Sequence, residues 1–183
     1  MKPKIRCKHA LVCWFTGLSG AGKSSVAERV QRDLANKCLQ VLILDGDLVR
    51  EKMHCDLDFS MPGIIENNRR IAEYCVKIRD QCDAILVPII SPYKSSRQHA
   101  RELLEPHFFD IYCAANLSTV AERDVKGLYE KARRGEVTNL IGYSPESPYE
   151  PPSSPDLILD TGSETLDASA RKLVRFVEPR LAG

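Results

Sequence analysis

Short apolar runs alternate along this chain with longer stretches in which apolar residues recur every three or four positions. The apolar runs cover residues 11–16, 41–44, 84–90, 108–113 and 156–160. Runs of this length are typical of strands buried on both faces of a parallel sheet. The periodic stretches cover about residues 23–37, 64–81, 95–104 and 165–177. They predict helices with one apolar face, so the sequence indicates an α/β fold: a parallel, doubly wound sheet with helices on both faces.

Two residues give local signals within this pattern. Pro88 falls inside the third apolar run and predicts an irregularity in that strand, because proline has no N–H to donate to a neighbouring strand. Ser118 precedes a further helical stretch, and a serine at such a place is typical of an N-cap. We therefore expect Ser118 to cap that helix.

The pattern breaks between about residues 123 and 155, where charged residues, glycines and prolines replace the apolar runs. A long stretch without a core pattern inside a domain is typical either of a lid or of a disordered segment. The lid is favoured by four apolar or aromatic residues in this stretch, Tyr129, Leu140, Tyr143 and Tyr149. The sequence shows no internal repeat, so residues 1–183 are predicted to form a single domain with a lid at about 123–155.

Composition narrows the function classes. The 183 residues include 26 basic and 25 acidic side chains, for a net charge of +1, which gives no reason to expect nucleic acid or a membrane surface as a partner. The seven cysteines form no C-x-x-C pair, so a reducing cytoplasm is expected rather than disulfides or a metal centre. Residues 1–10 form a basic tail without the apolar segment of a signal peptide.

The clearest chemical signal is the motif G-x-x-x-x-G-K-[ST] at residues 17–24, directly after the first apolar run. In this motif the glycines let backbone N–H groups turn towards phosphate oxygens at the N-terminus of a helix. Lys23 is then expected to reach the β- and γ-phosphates of ATP, and Ser24 to hold Mg²⁺. The predicted ATP-binding residues here are Gly17, Leu18, Ser19, Gly20, Ala21, Gly22, Lys23, Ser24 and Ser25.

A second candidate site follows the second predicted strand. Asp45 and Asp47 stand where open α/β sheets bind their ligands, and Arg50 comes shortly after them. A carboxylate here can accept a proton from a substrate hydroxyl or organise Mg²⁺ through water, and Arg50 can bind an anionic acceptor. Asp47 can equally cap a helix, so its spacing alone leaves both roles open.

Several separate blocks, in order, resemble the adenylylsulfate kinase family over about residues 12–160. The blocks are FTGLSGAGKS at 15–24, LDGDLVR at 44–50, DLDFS at 56–60, ENNRRIAE at 66–73, ISPY at 90–93, RDVKGLY at 123–129 and PYEPP at 148–152. The resemblance implies the three-layer P-loop NTPase fold and transfer of phosphate from ATP, with Mg²⁺, to the 3′-hydroxyl of adenylyl sulfate. It implies a small-molecule nucleotide as partner and leaves the oligomeric state open, a homodimer included.

The resemblance also implies roles for individual residues. Asp47 would be the base at the acceptor hydroxyl and, with Lys23, a catalytic residue. Ser91 stands at the place of a phosphoserine intermediate in the family, or equally serves as a ligand of substrate or water. Arg123 would lie over the adenine of ATP. The residues implied to contact the acceptor are Asp45, Asp47, Arg50, Phe59, Asn67, Ile90, Ser91, Lys126 and Leu140.

The chain departs from the family pattern at the acceptor pocket. Leu48 replaces an asparagine, Ile64 replaces an arginine and Leu140 replaces a phenylalanine. The arginine would meet an anion, and the phenylalanine would close an aromatic clamp on adenine. Two alternatives therefore stand beside adenylylsulfate kinase. One is the same chemistry on another nucleotide conjugate, such as a diphosphoramidate derivative of cytidine diphosphate. The other is a non-catalytic nucleotide-binding regulatory module, against which the intact phosphate loop argues.

Overall fold

The structure is a computed structural model that describes residues 9–46, 49–50 and 55–181. Three predicted features lie outside these ranges: the first eight residues of the basic tail, Asp47 and Leu48.

Five parallel strands form one sheet in the described part of the chain. The strands are β1 (Leu11–Thr16), β2 (Val41–Ile43), β3 (Ala84–Val87), β4 (Phe108–Cys113) and β5 (Leu157–Leu159). Their order across the sheet is β2-β3-β1-β4-β5. The predicted parallel sheet is confirmed, and three of its strands, β2, β3 and β5, are shorter than the predicted runs. β3 ends before Pro88, because a proline inside a central strand would break the hydrogen bonding.

Helices cover both faces of the sheet. They are α1 (Lys23–Ala35), α2 (Met61–Ile78), α3 (Lys94–Leu104), α4 (Leu117–Arg123), α5 (Leu128–Arg133) and α6 (Leu166–Leu181). α1 packs against α6 and α2 packs against α3, which gives three layers with the sheet in the middle. None of the helices in the described ranges has the length and apolar character needed to cross a membrane.

Strand β1 lies in the middle of the core, and its side chains alternate between the two faces of the sheet. Leu11, Cys13 and Phe15 belong to the buried cluster under α1 and α6. Val12 and Trp14 belong to the cluster under α2 and α3. None of these five side chains is more than 2% exposed, so β1 is anchored on both faces up to the edge where the candidate site lies.

Helix α2 begins at Met61, earlier than the residue 64 predicted from periodicity. The Ser60 side chain accepts a hydrogen bond from the Gly63 N–H at 3.2 Å, and Pro62 lies in the first turn. Proline suits that turn because its missing N–H would have no helical partner there. The helix ends at Ile78 rather than at residue 81, so the apolar stripe alone places it about one turn too far along the chain.

The N-cap of α4 is Asn116, whose Oδ1 accepts a hydrogen bond from the Thr119 N–H at 2.8 Å. The prediction of Ser118 as this cap is wrong. Ser118 lies inside the first turn, and its hydroxyl donates to Asn116 Oδ1 at 2.7 Å. Both residue types are good caps, so the choice between them depends on where the chain leaves β4, which the local sequence does not specify.

The cap makes a testable prediction. Asn116→Ala removes the acceptor of the Thr119 N–H, so we expect the free energy of unfolding to fall by about 1 kcal/mol, measured by urea denaturation. Ser118→Ala is the matched control and should cost clearly less. A larger loss in the control than in Asn116→Ala would contradict the assignment.

Candidate active site

The phosphate loop connects the end of β1 to the start of α1, and two of its glycines are required by geometry. A Cβ added to Gly17 would lie 2.7 Å from the carbonyl oxygen of Cys113 on β4, which is closer than real Cβ atoms come. Gly22, the N-cap of α1, has φ 85°, a left-handed conformation that glycine adopts without steric cost. The loop can therefore pass close to β4 and turn sharply into the helix.

Protein donors bind the carbonyl oxygens of the loop. Lys23 Nζ donates to the carbonyls of Gly17 at 2.9 Å and Leu18 at 2.7 Å, and the Tyr129 hydroxyl donates to the carbonyl of Ser19 at 2.9 Å. Burial raises the pKa of Tyr129 to about 12, so its hydroxyl stays a donor. Because a trans peptide unit carries its N–H opposite its C=O, these contacts turn the following amides to the other side of the loop.

Ser24 and Asp45 meet at the joint between the loop and the end of β2. The Ser24 hydroxyl donates to Asp45 Oδ2 at 2.7 Å. A hydroxyl and a carboxylate are the hard oxygen ligands that Mg²⁺ prefers, so these two residues fit a magnesium ion at the phosphate end of the site. The sequence assigned Ser24 to the metal and Asp45 to the acceptor; the structure brings the two together.

Arg50 and Phe59 lie together beside the cavity. The Arg50 guanidinium is 4.5 Å from the centroid of the Phe59 ring, and its Nη1 donates to the carbonyls of Leu57 at 3.0 Å and Asp58 at 2.7 Å. The Phe59 ring is 60% exposed. A large exposed ring next to a cation offers a stacking surface for a base beside a contact for an anion.

Ser91 follows the end of β3 and is only 1% exposed. Its φ is 44°, a left-handed value that costs a non-glycine residue about 1–3 kcal/mol. Its Oγ accepts hydrogen bonds from Trp14 Nε1 at 2.9 Å and from Asn68 Nδ2 at 3.2 Å. These two donors engage both lone pairs of the hydroxyl oxygen, so a nucleophilic attack by Ser91 would first have to break one of these bonds.

Asn68 donates a hydrogen bond to Ser91, and sequence reasoning did not predict it as a site residue. The sequence pointed to its neighbour Asn67, which is 5% exposed and lines the cavity, as Asn68 does. The repeated asparagine in the ENNRR block was the available signal, because two adjacent amides on a helix near a predicted site are both candidates for hydrogen bonding.

Two predicted residues lie at opposite ends of the predicted lid. Arg123 Nη2 donates to the carbonyls of Thr161 at 2.8 Å and Gly162 at 3.2 Å. Near the other end, the Tyr149 hydroxyl lies 2.9 Å from Thr16 Oγ1 at the end of β1. Burial raises the pKa of Tyr149 well above its ordinary value. The segment therefore contacts the framework through polar as well as apolar groups.

Leu140 is placed differently from the prediction. It is 6% exposed and belongs to the same buried cluster as Leu18 and Tyr129, and it is not among the described residues that line the cavity. The next residue, Ile141, lines the cavity instead. The residue that this segment presents to the cavity is thus one position further along the chain than the resemblance implied.

One cavity of about 530 Å³ unites most of the predicted site. The predicted residues that line it are Ser19, Gly20, Ala21, Gly22, Lys23, Ser24, Ser25, Asp45, Arg50, Phe59, Asn67, Ile90, Ser91, Arg123 and Lys126. Of the predicted residues that the structure describes, Gly17, Leu18 and Leu140 do not line it. The ATP-binding and acceptor-binding residues expected from sequence therefore share a single space.

The parallel sheet, the phosphate loop at the end of its central strand and the adjoining Ser24–Asp45 pair define the class: a P-loop phosphotransferase. Within that class, the sequence model of the family described as adenylylsulphate kinase matches residues 9–160. The chain belongs to this family.

Curated members of this family match the chain over most of their length. The adenylyl-sulfate kinase of Halothermothrix orenii is 45% identical over 177 residues, which are 96% of this chain and 94% of the relative. The adenylyl-sulfate kinase of Acaryochloris marina is 43% identical over 170 residues, which are 92% of this chain and 82% of the relative.

Solved structures also superpose on this chain. The APS kinase CysC of Mycobacterium tuberculosis, in complex with AMPPNP and APS, superposes with a TM-score of 0.89 at 39% identity, over 94% of this chain and 99% of that one. A gluconokinase from Sinorhizobium meliloti 1021 has a TM-score of 0.64 at 18% identity over 96% of this chain and 95% of its own, so it shares the fold alone.

The Ser24–Asp45 contact predicts a magnesium phenotype. Asp45→Asn removes a negative charge at the joint, so we expect the Mg²⁺ concentration for half-maximal ATP turnover to rise about tenfold. Asp33→Asn, which removes a carboxylate paired with Arg29 on the surface of α1, is the matched control. An unchanged magnesium requirement in Asp45→Asn would remove Asp45 from the metal site.

Proposed function

We propose that this chain is an adenylylsulfate kinase: with Mg²⁺ and ATP it phosphorylates the ribose 3′-hydroxyl of adenylyl sulfate to give 3′-phosphoadenylyl sulfate. Family membership across most of the chain supports this activity. The free thiols of the buried Cys13, Cys75 and Cys113 support a reducing, cytoplasmic setting.

The observation that carries the proposal is the single cavity shared by the phosphate loop and the predicted acceptor residues. A kinase that transfers phosphate directly must hold its two substrates with their reacting oxygens close and in line. The solved relative from Mycobacterium tuberculosis holds AMPPNP and APS together. We expect ATP and adenylyl sulfate to share the corresponding cavity here.

The residues divide the work as follows. The loop amides and Lys23 hold the phosphates of ATP, and Ser24 with Asp45 holds Mg²⁺, which when bound neutralises charge on the transferred group. Asp47, which lies outside the described residues, accepts the proton of the 3′-hydroxyl. Arg50 binds the anionic end of adenylyl sulfate.

The wall of the cavity near the acceptor is partly aliphatic. Ile64 and Ile141 line it, and together with Tyr93 they form a small buried cluster. Isoleucine cannot pair with an anion, so Arg50 and Lys126, which also line the cavity, carry more of the anion recognition than they would beside an arginine at position 64. The base is then held by the Phe59 ring against aliphatic surface rather than between two rings.

A direct assay tests the proposal. In parallel reactions, the protein is incubated with Mg²⁺, ATP and one candidate acceptor: adenylyl sulfate or another nucleotide conjugate, including derivatives of cytidine diphosphate. Products are identified by mass spectrometry, and the phosphorylated position is identified by phosphorus NMR. We expect adenylyl sulfate to become phosphorylated at the 3′-position, and Lys23→Ala to give no product. Preferred phosphorylation of another conjugate would replace the acceptor, and failure to phosphorylate any nucleotide would overturn the kinase proposal.

The role of Asp47 makes a separate prediction. Asp47→Asn keeps the size of the side chain but removes the proton acceptor, so we expect kcat to fall by about 10²–10⁴-fold. The dissociation constant of ATP, measured by calorimetry, should change little. Near-normal turnover in this variant would remove the assignment of Asp47 as the general base.

A further inference from the structure

The loop at residues 88–93 connects β3 to α3 and brings Ile90 and Ser91 to the cavity. It lies beyond the end of the strand, so the regular hydrogen bonding of the sheet does not hold it. The left-handed φ of 44° at Ser91 persists only if surrounding contacts impose it. Contacts from outside the loop therefore have to hold Ser91 in this conformation.

Arg97, in the first turn of α3, binds this loop from the side away from the cavity. Its Nη1 donates to the Ser91 carbonyl at 2.7 Å, and its Nη2 donates to the Glu150 carbonyl at 2.7 Å. Its Nε lies 3.6 Å from Asp110 Oδ2 on β4. Arg97 is 5% exposed, and it is not among the described residues that line the cavity.

Neighbouring hydrogen bonds join the same two segments. The Glu150 N–H donates to the Pro92 carbonyl at 2.9 Å, and the Glu150 carboxylate accepts from the Lys94 N–H at 2.6 Å. The end of the predicted lid is therefore attached to the loop that carries Ser91, with Arg97 at the centre of the attachment.

We propose that Arg97 is a positioning residue for the acceptor nucleotide: it sets Ser91 and the end of the lid in one arrangement, without touching either substrate. The inference rests on the proposed function, because it concerns how the acceptor of that reaction is placed. A guanidinium suits this task since its planar fork presents five N–H donors, which here face two carbonyls and a carboxylate. A lysine ammonium at the same place is a compact point charge and could not present a planar fork of donors to all three groups.

The test compares how each variant changes the KM for adenylyl sulfate and the KM for ATP. In Arg97→Met the carbonyls of Ser91 and Glu150 lose the charged donor that they share, so we expect the KM for adenylyl sulfate to rise about tenfold, the loss typical of charge-assisted hydrogen bonds. The KM for ATP and the dissociation constant of ADP should stay within about twofold, since Arg97 contacts no phosphate-loop residue. Arg97→Lys should recover part of the lost affinity for adenylyl sulfate.

Arg101→Met is the matched control. Arg101 lies one turn further along α3 and binds Asp156 at 2.6 Å, so this variant also breaks an ion pair between the helix and the sheet. It does not disturb the carbonyls of Ser91 or Glu150, and its KM for adenylyl sulfate should stay near that of the unmodified protein.

Loss of Arg97 leaves the buried Asp110 without its ion-pair partner, although Arg101 still attracts its carboxylate, and the single variant could fail to fold. Burial raises the pKa of Asp110 to about 6, so the site disfavours the charge of this carboxylate, and an amide of similar size avoids leaving that charge unpaired. The double variant Arg97→Met/Asp110→Asn removes both charges and should show the same rise in the KM for adenylyl sulfate. Hydrogen exchange should accelerate in peptides that cover residues 88–93 and 148–151 and stay unchanged in the phosphate loop.

The outcomes are distinct. If the unmodified protein does not phosphorylate adenylyl sulfate, the proposed function fails. If it does, and the double variant raises the KM values for ATP and adenylyl sulfate equally or behaves like Arg101→Met, Arg97 is a structural residue only and the inference is overturned. Uniformly faster hydrogen exchange across the chain would lead to the same conclusion.

Discussion

One buried hydroxyl group joins the segments that make up the site. Thr16, the last residue of β1, is 0% exposed, and its Oγ1 lies 2.9 Å from the Ile90 carbonyl and 3.0 Å from the Ser91 carbonyl. A hydroxyl has a single proton, so with that proton given to these carbonyls, Thr16 accepts the hydrogen bond of the Tyr149 hydroxyl at 2.9 Å. Because a buried polar group without a partner costs about 1–3 kcal/mol, these bonds stabilise the meeting of β1, the loop at Ile90 and Ser91, and the segment at Tyr149.

The topology of the sheet brings charged groups together in a protein that is almost neutral overall. The net charge of +1 offers no general attraction for nucleotides, so affinity for anions has to come from local placement. The parallel order of the strands puts the ends of β1, β2 and β3 at one edge. Lys23, Asp45 and Ser91 stand just beyond those ends, where open α/β sheets bind ligands. Lys23, Asp45 and the loop that carries Ser91 are thus neighbours as a consequence of the topology.

Sequence alone predicted the parts that depend on local pattern. Central strands buried on both faces are apolar throughout, and the edge strands β2 and β5 are apolar runs even though Leu42 and Ile158 are exposed, so all five strands were recognisable. The phosphate loop was recognisable because its glycines are required by geometry. The cap at Asn116 and the placement of Leu140 were not recognisable from the sequence. Each depends on the path of the chain, which contacts between distant residues determine. The link between Thr16 and Tyr149 joins residues 133 positions apart, and Arg97 looks like any surface arginine of an amphipathic helix until Asp110 and Glu150 are placed against it.

Arg50 illustrates how such a site can be preformed and still respond to its ligand. Its guanidinium is oriented by the Phe59 ring and by the carbonyls of Leu57 and Asp58, and the Asp58 carboxylate also attracts it. A hydrogen bond from arginine to an anionic oxygen is roughly twice as strong as one between neutral groups, so exchanging a carbonyl for the anionic end of a nucleotide is favourable. A neutral acceptor offers no such gain. For the proposed reaction, Arg50 therefore favours an acceptor with an anionic end, and this preference does not require a second arginine at position 64.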